Sequence, residues 1–200
     1  VLPVSFFRQS ATEVAAGLLG CVVESVVEGQ RTWGRIVEVE AYLGHDDPAS
    51  HAFRGRRHAG NRGVYSPPGH WYVYRSYGIH WCMNLCCWGP DGSAVLLRAL
   101  EPLGGLVAMG VRRGGQAVTV LCAGPGRLTQ ALGVTNALDG VAMRTSAVRV
   151  HGPARDTRPE AIALGPRVGI TQAADWPLRF ALRGARLSRP LQSSVAAARD

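Results

Sequence analysis

A chain of 200 residues with 46% hydrophobic side chains can bury a real core, and no linker, charge block or low-complexity run divides it, so one domain over residues 1–200 is expected. Its formal net charge of +8 rests on 22 basic residues that are all arginine, and guanidinium forks pair bidentately with phosphate, which favours a polyanionic partner such as nucleic acid. The absence of lysine excludes a lysine Schiff base, and the absence of any apolar run of about 18 residues excludes a conventional membrane-spanning helix.

The opening "VLPVSFFRQS" lacks the charged start and long apolar stretch of a secretion signal, so a soluble intracellular protein is expected, cytoplasmic and nucleoid-associated if bacterial. Ser10 and Glu13 form an S-x-x-E capping box that predicts a short helix running to Gly20. "CVVESVV", a turn at "EGQ" and the strand "GRIVEVEAYLG" over 34–44 predict a hairpin. A period of two puts Val37, Val39, Ala41 and Leu43 on one face and Ile36, Glu38, Glu40 and Tyr42 on the other. Either that second face is exposed and its carboxylates pair with arginines, or the two acids serve glycosidic-bond chemistry, one assisting the leaving group and one activating water. Spacing alone leaves both open.

From Leu43 to about His70 the chain has no helical or strand period and is rich in Gly, Pro, Arg and His; a loop that long inside a compact domain is a candidate site wall. "HWYVYRSYGIHWCMNLCC" predicts a second hairpin around Ser76-Tyr77-Gly78, with Tyr72 and Tyr74 on one face and Tyr77 at the tip. Such a hairpin can simply pack into the core, whereas an exposed tip tyrosine on a basic protein can wedge into a base step. The cysteines at 21, 82, 86, 87 and 122 are odd in number and show no C-x-x-C spacing, so they read as buried free thiols. The six histidines show no H-x-x-x-H grouping, and no metal or cofactor is expected.

"AVLLRAL" (94–100) predicts a buried strand that carries Arg98. In "AGPGRLTQALG" a Gly-Pro-Gly turn enters a helix stopped by Gly133, and its start, with Gly124, Gly126 and Arg127, is a candidate phosphate contact. "SAVRVHG" and "LRFALRG" read as late strands, and the tail after Leu187 reads as frayed. Hairpins among scattered short helices predict an α+β fold: a single compact domain with a curved antiparallel sheet, surrounding short helices and a protruding β-hairpin.

In order and over nearly the whole chain, these segments resemble the alkyladenine DNA glycosylase family, also called 3-methyladenine or methylpurine DNA glycosylases. The resemblance is carried by "GRIVEVEAYLG", "DDPASHAFRG", "NRGVYSPPGHWYVYRSYGIHWCMN", "AVLLRALEP", "LCAGPGRLTQALG", "PRVGI" and "PLRFALRG". It implies a base-excision repair enzyme that flips a damaged purine out of double-stranded DNA and hydrolyses its N-glycosidic bond. Glu40 is then the general base, with Glu38 in support, and Arg98 and the main-chain carbonyl of Val168 hold the attacking water. Tyr42 stacks on one face of the base and His51 and Tyr74 on the other. Asn84 crowds the 2-amino group of guanine, and Tyr77 inserts into the duplex. With no side-chain amine, a monofunctional enzyme that leaves an intact abasic site is expected, and a monomer suffices. A catalytically silent lesion binder and a small-substrate nucleoside hydrolase are the rival readings. Two places depart from the family pattern: Ile79 and His80 stand where members often carry Met and Tyr, and the region from Gly104 to Val120 is shorter and less basic.

Overall fold

Fourteen residues of one strand organise the molecule, for which a computed structural model describes residues 1–153 and 161–191. Strand β1 (Val22–Val27) turns through Glu28 and Gly29, both at positive φ as a two-residue hairpin turn requires, into β2 (Gln30–Leu43). β2 begins four residues before the predicted strand because β1 pairs with residues 30–35. Along its opposite edge runs β5 (Ser93–Gly104), and the short β8 (Arg179–Leu182) takes over from β1 at Glu38–Glu40. The predicted second hairpin is β3 (Trp71–Ser76) and β4 (His80–Cys86). With β6 (Val148–His151) the order is β3-β4-β5-β2-β1-β6, and β7 (Ile162–Gly165) lies beside β8; every pairing is antiparallel.

The described residues hold three α-helices: α1 (Ala11–Leu18), α2 (Leu106–Arg112) and α3 (Pro125–Leu132). Both halves of the predicted capping box form on α1: the Glu13 N–H donates to Ser10 Oγ, and the Ser10 N–H donates to the Glu13 carboxylate at 2.9 Å. Such a cap is worth about 1 kcal/mol. α2 and β7 were not predicted, since α2 opens on a left-handed Gly105 without a side-chain cap and β7 has only four residues. The helices lay Leu18, Met109, Leu128 and Leu132 against Val39, Ala41, Val73, Met83, Val95 and Leu97, and this face of the sheet is the main core.

The opposite face carries the polar and aromatic side chains and is covered by the long loop, which contains three short 3-10 turns at Gly44–Asp46, Phe53–Gly55 and Ala59–Tyr65. The simple alternation expected along β2 fails at one place. Pairing with β5 steps from Ile36–Leu100 to Glu38–Ala99 and then to Val39–Leu97, so Val37 is skipped on one strand and Arg98 on the other. Ile36 consequently turns into the main core, while Val37 packs with Ala99 and Leu182 in a separate small cluster. Opposed irregularities of this kind re-aim side chains while restoring the register beyond them. No helix among the described residues is long and apolar enough to cross a membrane.

Candidate active site

The register step delivers Arg98 to the two glutamates. Glu38 and Glu40 are both fully buried, so the exposed strand face does not exist, although arginine pairing does. Glu40 Oε1 accepts from the Val168 N–H at 2.7 Å and lies 3.2 Å from Arg98 Nη1; its Oε2 accepts from the Tyr42 hydroxyl at 2.9 Å. Burial pushes the Glu40 carboxyl above the ordinary range, against the pull of Arg98, the Val168 N–H and the Tyr42 hydroxyl. Burial opposes charge on Arg98 too, but Glu40 and Glu38 outweigh it and hold the guanidinium as a cation.

Glu38 is more completely committed. Its Oε1 accepts from Arg98 Nε at 3.1 Å, Arg179 Nε at 2.8 Å and Ser188 Oγ at 2.7 Å, and its Oε2 accepts from the Ser188 N–H at 2.5 Å. Two carboxylates thus face two guanidiniums in a buried cluster of balanced charge, the condition under which buried ions are tolerated. Four donors on two oxygens hold Glu38 in place, and through it Arg98, whereas Glu40 takes three, with an open direction at Oε2 beside the Tyr42 hydroxyl.

Above this floor opens a cleft of about 800 Å³ whose lining includes Tyr42, His51, Tyr74, Asn84, Arg98 and Val168. Glu40 lies directly behind its partners Tyr42, Arg98 and Val168, which form the wall. Tyr74 meets the His51 ring edge-on at 4.5 Å, and Tyr72 stacks beside Tyr74 at 5.4 Å. Burial, with His58 and Arg56 nearby, holds His51 below the usual histidine range, so its ring is neutral at pH 7. Burial likewise drives the Tyr42 and Tyr74 hydroxyls well upward, and both stay protonated. The Asn84 amide is oriented by donating from Nδ2 to the Tyr72 carbonyl at 3.1 Å.

The rim is different in kind. Tyr77 is 87% exposed at the hairpin tip and holds φ of 50°, followed by Gly78 at 67°, which is a tight turn closed by the Ile79 N–H on the Ser76 carbonyl. A left-handed tyrosine costs roughly 1–2 kcal/mol relative to glycine. At the start of α3, Gly124 and Arg127 line the cleft, and Arg127 is exposed. A Cβ on Gly126 would come 2.7 Å from the Cβ of His80, so close packing of α3 on the hairpin requires that glycine and explains where His80 goes.

Sequence reasoning missed several contributors, Arg179 among them. Asp47 and Arg167, 120 positions apart, form a fully buried ion pair. Arg167 also donates to the Ala41 carbonyl at 3.1 Å and lies 4.6 Å over the Tyr42 ring, and so supports that ring beside Val168. Tyr72 supplies a hydroxyl 2.6 Å from His51 Nδ1. Ser188 belongs to the tail expected to fray, yet it is bound to Glu38; residues 192–200 of that tail lie outside the described residues. The five cysteines are free and buried, as read from the sequence.

The family model described as methylpurine-DNA glycosylase matches residues 5–186. A protein of Methanoculleus marisnigri, provisionally named a 3-methyladenine DNA glycosylase, is 49% identical over 189 residues, covering 92% of this chain and 96% of its own. Proteins of Rhodopseudomonas palustris and Agrobacterium fabrum with the same provisional name are 50% and 46% identical; each match covers 92% of this chain, and 86% and 89% of the respective relative.

Proposed function

This chain belongs to the methylpurine-DNA glycosylase family, and on that premise we propose that it excises alkylated or deaminated purines from double-stranded DNA. It is an enzyme of the 3-methyladenine DNA glycosylase kind, a hydrolase of N-glycosyl bonds. The substrates we assign are 3-methyladenine, 7-methylguanine, hypoxanthine and 1,N6-ethenoadenine. The observation that carries the mechanism is the convergence of three donors on one buried carboxylate behind an aromatic cleft.

The damaged nucleotide is extruded into the cleft, where unpairing costs least for a damaged base. Tyr42 stacks on one face of the purine and His51 and Tyr74 on the other. An N-alkylated purine is cationic, which favours tyrosine faces, and the neutral His51 does not repel it. Glu40 takes a proton from water through its unfilled acceptor direction while the water oxygen attacks C1′; Arg98 and the Val168 carbonyl hold that water. The N-glycosidic bond breaks with its electron pair leaving on the purine; a cationic methylpurine departs neutral, whereas hypoxanthine or ethenoadenine departs as an anion that takes a proton from solvent, and the products are free base and an abasic sugar. The same carboxylate stabilises the cationic sugar of the transition state.

Tyr77 fills the gap in the duplex, and Asn84 rejects guanine by crowding its 2-amino group. Gly124, Gly126 and Arg127 meet a phosphate. No lysine side chain is present to form a Schiff base, so the abasic strand is left uncut, and taking up one flipped base requires no more than a monomer.

The test is single-turnover excision from a duplex holding one 1,N6-ethenoadenine or hypoxanthine, or from methylated DNA, with alkali to reveal abasic sites. The parent produces alkali-dependent cleavage, and Glu40→Gln is slower by about 100-fold or more. Binding without cleavage on all substrates would establish a silent lesion binder. Release of base from free nucleosides would establish a nucleoside hydrolase.

A further inference from the structure

We infer that Ser188 is a positioning residue for excision, a pin that orients the Arg98 guanidinium toward Glu40. This rests on the roles given above to Arg98 and Glu40. Each nitrogen of the Arg98 guanidinium has a different partner: Nε donates to Glu38, Nη1 faces Glu40, and Nη2 donates to Ser188 Oγ at 3.2 Å. That hydroxyl in turn donates to Glu38 Oε1, the oxygen that accepts from Arg98 Nε, so Arg98, Ser188 and Glu38 close a ring of hydrogen bonds. A planar fork held at Nε and Nη2 has no rotation left, and Nη1 is therefore aimed.

The pin is anchored from both sides. The Ser188 N–H is on Glu38 Oε2, and Arg179 grips the next two carbonyls, donating from Nη2 to Arg189 and from Nη1 to Pro190. Leu191 then packs where a Cβ on Gly165 would meet its side chain at 2.6 Å. Residues 188–191 thus form a strap over the charged cluster, and Ser188 and Arg189 line the cleft itself. The strap lies beyond residue 186, where the family match ends.

Among the described residues, the charged and titratable groups facing Glu40 are Arg98 from β5, Glu38 and Tyr42 from β2 and Cys82 from β4; Arg179 of β8 is its cross-strand partner, and its guanidinium is engaged by Glu38. Loosening Arg98 removes the main force that keeps the Glu40 carboxyl from rising further.

The experiment measures single-turnover excision of 1,N6-ethenoadenine against pH for the full chain, Ser188→Ala, Ser188→Thr and Glu40→Gln, with lesion-duplex affinity and melting temperature measured in parallel. Ser188→Ala should excise about 10-fold more slowly at neutral pH. Its acid limb should move to higher pH with affinity near that of the parent and a melting temperature lower by only a few degrees, about what the lost hydrogen bonds to Arg98 and Glu38 account for, and Ser188→Thr should recover part of the rate by restoring a hydroxyl. A Ser188→Ala enzyme with parental rate and acid limb would overturn the inference, as would a rate loss uniform in pH that follows weakened DNA binding. If Glu40→Gln excises as fast as the parent, the catalytic assignment itself fails, which is a separate outcome.

Discussion

The floor of the cleft and its rim solve opposite problems. On the floor, Glu38, Glu40, Arg98 and Arg179 are buried with nearly every polar direction engaged, so their geometry is fixed before DNA arrives. At the rim, Tyr77 stands in solvent on a strained turn, and the exposed Arg127 donates to the Ala123 carbonyl at a long 3.3 Å. The floor is costly to disturb in the free protein, whereas the rim matters only when DNA is bound. Variants that separate stability from DNA engagement can break this contrast.

The largest stability effect is expected at the floor's hidden support. Arg167→Met leaves Asp47 buried without its cation, which costs about 3–5 kcal/mol, toward the lower end because the Leu43 and Ala49 N–H groups still donate to it. Urea denaturation measures this loss. Excision should fall as well, because the Tyr42 ring loses its support; a loss near zero in both would show that the pair is incidental.

Next is the rim. Tyr77→Gly relieves a left-handed tyrosine and should leave the fold unchanged or more stable by up to about 1 kcal/mol. Lesion-duplex affinity should drop about 10-fold or more as the wedge is lost. Melting and binding titrations together test it, and a destabilised protein with intact binding would reverse the contrast.

The pH response of Glu40 is subtler. Its carboxyl is raised in the folded state, so its stabilising contribution is full below the unfolded carboxylate value near 4.5 and is lost as pH rises through the higher folded value. Excision has the opposite sense, since the ionised form is the base, and its rate should fall as pH drops through that same raised value. Subtracting the melting profile of Glu40→Gln from that of the parent isolates the first effect. A difference independent of pH between about 4 and 8 would contradict a raised carboxyl.

The smallest effect belongs to Arg127. Removing one phosphate contact by Arg127→Ala should reduce the slope of log affinity against log salt by roughly 0.9, with little change in the single-turnover rate on saturated enzyme. An unchanged slope would show that Arg127 meets no phosphate.

Local signals determined much of this protein from sequence alone. The capping box set α1, the β-branched runs around "EGQ" and Ser76-Tyr77-Gly78 set two hairpins, and Gly-Pro-Gly with Gly133 bounded α3, because each depends on residues only a few positions apart. The face carrying Glu40 and Tyr42 was legible for the same reason, since both lie beyond the register step. Ile36 was misplaced because a bulge is decided by the partner strand, which a period of two within β2 cannot register. The Asp47–Arg167 pair and the Ser188 strap close across more than a hundred residues. Such contacts form only after the sheet has brought β2, β5 and β8 together, so the sequence determined which side chains were available for the site, and the tertiary structure decided which of them would hold the others in place.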